Sequence, residues 1–240
     1  MKSKLQPAAL CMAITLSLGV AACGGGDKAK DDTPTKAGDA PAAAAGTPAG
    51  TAAATKVPTL AEGPDVCFRA IAKHLGADAK VSEITSFFSV GNEIDGSDTK
   101  PAGEMTTCTV QYQNPDDPRK LLSIRYDDAT GTFGTPSPVE ISVMGGNAAE
   151  FKLEDYLIPL SQINAAQLTS VMDAQKARLS GVYSKYAWSG VRLSSPGPFD
   201  NKHTLRLDIT GRLASNDIKE TGYASVTTDG TKISADHLTP

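Results

Sequence analysis

Histidine is scarce in this chain: His74, His203 and His237 are the only three in 240 residues. None sits in a paired metal-ligand motif, and each has an ordinary place: near the end of a helix, at the start of a strand, and close to the C-terminus. Nucleophile elbows of the Gly-x-Ser-x-Gly or Ser-x-x-Lys type are missing from any supporting context. Asn92 to Asp98 superficially suggests a calcium loop, but it lacks the alternating oxygen ligands and the closing glutamate. Asp116-Asp117 and Asp127-Asp128 fall in turns, where aspartate is favoured for local hydrogen bonding. These shortages argue against an enzyme, a bound metal and a cofactor. Long apolar runs are short too. The one apolar stretch, from about Ala8 to Val20, falls below the roughly 20 residues a membrane-spanning helix needs.

That stretch follows Lys2 and Lys4 and ends in the small residues Ala21 and Ala22, the three-part plan of an export signal. Val20-Ala21-Ala22-Cys23 resembles the bacterial lipobox, with Val20 where leucine is commoner. The resemblance covers the first 23 or so residues. It implies cleavage before Cys23, a diacylglycerol on its thiol and an acylated amino group, hence a stable multi-chain anchor. Gly24 follows, not aspartate, and the resemblance then points to the outer membrane, lipid-anchored and facing the periplasm.

Removing residues 1–22 takes away Lys2 and Lys4 and no acid, leaving 21 basic and 27 acidic residues, a net of −6. That balance disfavours nucleic acid, which demands clustered cations, and by itself favours a basic protein partner. Cysteine arithmetic is simple. Cys11 leaves with the signal and Cys23 carries lipid, so Cys67 and Cys108 remain to form a disulfide in an oxidising compartment.

Composition divides the chain into four: 1–22 as signal peptide, 23–60 as lipidated cysteine and linker, 61–146 and 147–240 as folded parts. The linker's Gly, Ala, Pro and Thr bury too little to offset ordering entropy, and 37 such residues reach roughly 33 Å.

In the first folded part, Gly63-Pro64-Asp65 and Gly76 bracket a helix. Alternating strands follow, with Cys108, Val110 and Tyr112 on one side of the second. In the other part a helix over 162–179 precedes strands that include Tyr183 to Leu193 and the strict alternation of Leu205, Leu207 and Ile209. The expected fold is α+β, with two tandem modules, each a helix followed by a four-stranded antiparallel meander. The alternatives are two unrelated pieces or one continuous sheet.

The functional expectation is a protein-binding module in the periplasm, an inhibitor or immunity protein against an envelope-targeting enzyme or toxin. A structural or assembly role in the envelope is the alternative, and a wall or lipid hydrolase a more distant one. Candidate partner-binding residues are Tyr186 and the single tryptophan, Trp188, together with Phe199 on a proline-stiffened tip. Two longer inter-strand connections, 91–103 and 194–202, are expected to rim the binding face.

Overall fold

A computed structural model describes residues 56–143, 148–197 and 201–240. Cys23, the signal and most of the linker lie outside the described residues, as does Phe199. The described residues belong to one compact unit, Gly50–Pro240.

Chain order begins with helix α1 (Val66–Leu75) and strands β1 (Lys80–Phe88), β2 (Met105–Gln113) and β3 (Leu121–Asp127). Short strands β4 (Thr132–Phe133), β5 (Ser137–Val139) and β6 (Ile158–Pro159) follow. Helix α2 (Leu168–Val182) then leads into β7 (Tyr183–Ser194), β8 (Thr204–Leu213), β9 (Lys219–Val226) and β10 (Ile233–His237). Asp65 stands before α1 and pairs with Arg69 one turn on, while Gly76 ends it at φ 94°.

The expected pair of separate modules is incorrect. Among the described residues ten strands form one antiparallel sheet, in the order β10-β9-β8-β7-β1-β2-β3-β4, with β5 on β3 and β6 on β1. The joint is β1 against β7, registered from Ile84 opposite Leu193 to Phe87 opposite Gly190. The physical reason is the edge. A separate meander would leave its first strand with a row of unpaired N–H and C=O groups, and β1 and β7 satisfy each other's. Sheet predominates and the two helices are its cover.

That cover lies on one face. A single apolar cluster includes Cys67 and Ile71 of α1, and Leu168, Val171 and Leu179 of α2. Between them lie Ile84, Val110, Ile124, Val191, Leu193, Leu205, Leu207, Ile209 and Val226 from the strands. Each fully buried aliphatic side chain contributes about 1.5–3 kcal/mol relative to exposure. Cys67 and Cys108 are bonded to each other, with Cα atoms 5.6 Å apart, and pin α1 to β2 inside this core. Ser86, fully buried beside them on the strand, donates its hydroxyl to the Val191 carbonyl at 2.7 Å.

Candidate functional site

With period two along every strand, residues that alternate with the core point to the opposite side of the sheet. No α-helix covers that side among the described residues. Its middle is built by two rows across neighbouring strands. One runs Thr109, Thr85, Arg192, Arg206, Ser225; the next runs Thr107, Phe87, Gly190, Asp208, Tyr223, His237.

Asp208 is the hub. It accepts two hydrogen bonds from Arg192, from Nε at 2.8 Å and Nη2 at 2.9 Å, and a third from Arg206 Nε at 2.8 Å. Two guanidinium groups therefore share one carboxylate, leaving a local charge of about +1. Both cations also lie over rings. The Arg206 guanidinium carbon is 3.7 Å from the Tyr223 ring centre, and that of Arg192 is 5.6 Å from Phe87. Gly190 makes the arrangement possible. A Cβ there would stand 2.9 Å from both Phe87 Cδ1 and Asp208 Oδ2, so only glycine lets ring and carboxylate close over the strand. Phe87 stays 37 % exposed, unusual for a large apolar side chain in a sheet centre. With threonines and Tyr223, this group lines a shallow depression of about 420 Å³.

One end of the open face is closed by the β1–β2 connection. Lys185, Arg212 and Lys219 form a cationic row across β7, β8 and β9. The connection answers each: Glu93 accepts from Lys185 at 2.9 Å, the Ile94 carbonyl from Arg212 at 2.8 Å, and Asp95 from Lys219 at 2.7 Å. The Lys185 hydrogen bond holds the Glu93 carboxyl below its ordinary pKa, and the Lys219 hydrogen bond does the same for Asp95, helped by Ser97. Asp98 organises the rest, accepting from the Ser89 hydroxyl and from the amides of Val90, Gly91 and Lys100. The Ser89 hydroxyl is the largest reason its carboxyl sits below the usual range.

The residues expected to bind a partner separate in the structure. Trp188 is 7 % exposed and sits opposite Ile209 in the core, so it presents almost nothing to a partner. Tyr186 is half-buried, 6.3 Å ring to ring from Tyr183, and lines a cleft of about 990 Å³ beneath the β1–β2 connection with Lys185 and Ala187. The two long connections do not rim one side together. Because β1 and β7 run antiparallel, they leave the central pair at opposite ends.

Phe87, Arg192, Arg206, Asp208 and Tyr223 were not singled out by sequence. A signal was present: Arg206 and Asp208 are the polar positions of the strict Leu205, Leu207, Ile209 alternation. Arg-x-Asp on a strand places opposite charges side by side on one face.

The histidines serve three unrelated places. His74 packs on Phe133 at 4.8 Å, His237 on Tyr223 at 4.9 Å, and His203 lies 3.1 Å from the Tyr156 carbonyl with its pKa pushed down by burial. Among the described residues no group of three His, Cys, Asp or Glu side chains is placed to hold a metal ion. No protein family, curated protein or solved structure matches this chain in sequence or fold comparisons.

Proposed function

We propose that the chain is a lipid-anchored periplasmic protein of the outer membrane whose open sheet face binds another protein, as an inhibitor or immunity protein against an envelope-targeting enzyme or toxin. The observation that carries the reading is the one-sided cover of the sheet. Both helices pack on one face, and the other presents Phe87, Tyr223 and two arginines around a single aspartate. Arginine and tyrosine are the residue types that dominate binding energy at interfaces, with threonines here as a polar surround. A shallow surface of this kind suits a protein partner better than a small molecule, whose sites enclose most of the ligand. The Cys67–Cys108 bridge supports export, since such bridges persist in oxidising compartments.

The anchor has its own test. Cys23→Ser is expected to release the processed protein into the soluble periplasm or leave it unprocessed. A processed variant that still pellets with outer membranes overturns the lipoprotein reading.

The function is tested by deleting the gene and challenging the strain with its own kin. Unprotected cells are expected to lyse, and expression of the lipoprotein to rescue them. If deletion brings no kin-dependent killing and no effector encoded beside the gene binds the protein, the immunity reading falls and envelope assembly replaces it.

A further inference from the structure

We infer that the Arg192–Asp208–Arg206 cluster is a receptor for a carboxylate, and that the partner of the open face is a protein presenting an aspartate or glutamate there. The inference rests on the reading of that face as a protein-binding surface and adds the partner's chemistry.

Net charge taken over the whole chain is acidic and points to a basic partner, but the face is not the chain. Register and alternation put Arg125, Lys185, Arg192, Arg206, Arg212 and Lys219 on the open side against Glu83, Asp127 and Asp208. The β1–β2 connection engages Lys185, Arg212 and Lys219 at one end. At the centre two guanidinium groups have one carboxylate between them.

A guanidinium has five N–H donors in a plane. Arg192 commits two of its nitrogens to Asp208 and Arg206 commits one. Among the described residues no hydrogen bond engages Arg192 Nη1 or either Nη of Arg206. Stacking on Tyr223 uses the flat face of Arg206 and leaves its in-plane donors available, the geometry in which arginine takes a carboxylate edge-on. Both side chains are about 30 % exposed, so a docked surface would strip their remaining water and strengthen the charge-assisted bond. Nucleic acid fits poorly. A phosphate chain needs an extended run of free cations, and Lys185, Arg212 and Lys219 are already tied to the loop.

Asp208 then acts as an internal competitor that holds both arginines in place until a partner's carboxylate joins them. This makes a distinctive expectation: removing the charge of Asp208 should improve binding of an outside carboxylate.

The test follows the arginine Nε–H signals of the full-length lipoprotein in detergent by NMR. The probe is the capped peptide acetyl-Gly-Asp-Asp-Gly-amide, with its asparagine and lysine counterparts as controls. The aspartate peptide is expected to shift the Arg192 and Arg206 signals saturably in the millimolar range, about ten-fold more tightly than the asparagine peptide. The lysine peptide is expected to leave both unchanged. Asp208→Asn should tighten the aspartate peptide several-fold, and Arg206→Gln should remove its effect. Equal response to aspartate and asparagine, or no saturable shift at either arginine, overturns the inference. The wild-type comparison decides even if Asp208→Asn fails to fold. Kin rescue is scored separately. If rescue depends on the face but the peptides show no carboxylate preference, the binding face stands and only the partner's chemistry is wrong.

Discussion

Replacing Cys67 and Cys108 together with alanine is expected to lower the unfolding free energy by up to about 4 kcal/mol. The bridge spans 41 residues of sequence, and closing a loop of that length removes a large share of the unfolded chain's freedom. It also carries a local burden. Helix α1 has ten residues, too few to hold together alone, and its bonded cysteine is fully buried against the sheet. Loss of the bond would leave α1 attached by packing, chiefly through Val66, Phe68 and Ile71 with Ala72 and Leu75 beside them. For a domain of this size the midpoint should fall by roughly 8–16 °C. Thermal unfolding followed by circular dichroism, wild type against double variant, checks this. Coincident midpoints would mean that the helix is held by packing and the covalent link is redundant.

Some of this architecture could be read from residue order and some could not. The first helix announces itself through Gly63-Pro64-Asp65 and Gly76, whose roles are local backbone chemistry. The strands of the second half do so through Leu205, Leu207 and Ile209, because burial on one face imposes a period of two. Pairing between β1 and β7 has no such signature. It is made by backbone N–H and C=O groups that every residue carries, so Ile84 to Phe87 reads the same with or without Gly190 to Leu193 beside it. Two meanders and one sheet therefore look alike until the edges meet. The residues of the proposed binding face were obscured for a related reason. Trp188 stands out because it is unique, yet rarity says nothing about exposure, and its register opposite Ile209 assigns it to the core. Arg206 and Asp208 look like solvated positions of an alternating strand. Only the closure of β1 onto β7 brings Phe87 beside Gly190 and makes them parts of one surface.

The variants Phe87→Ala and Tyr223→Ala are accordingly expected to separate binding from folding. Phe87 is the exposed ring at the sheet's centre, and Tyr223 is the platform on which Arg206 lies. As anchors of an interface, each should cost about 2 kcal/mol or more in partner affinity, roughly a thirty-fold loss. Phe87 contributes little to the core, so its removal should leave the unfolding midpoint nearly unchanged. Tyr223 is half-buried on the same open side, and its loss should be milder for the fold than for binding. Trp188→Ala provides the opposite case. Its ring is buried in the apolar cluster, and deleting it should cost about 3–5 kcal/mol of stability. Any loss of protection in that variant should then follow loss of folded protein. The measurement is survival in kin competition, plotted against the amount of folded protein in the envelope for each variant. Phe87→Ala and Tyr223→Ala should fall well below the wild-type line at equal protein level, and Trp188→Ala should lie on it with less protein. If the first two protect as well as wild type at equal level, the open face is not where the partner binds. The cleft beside Tyr186 would then be the next surface to probe.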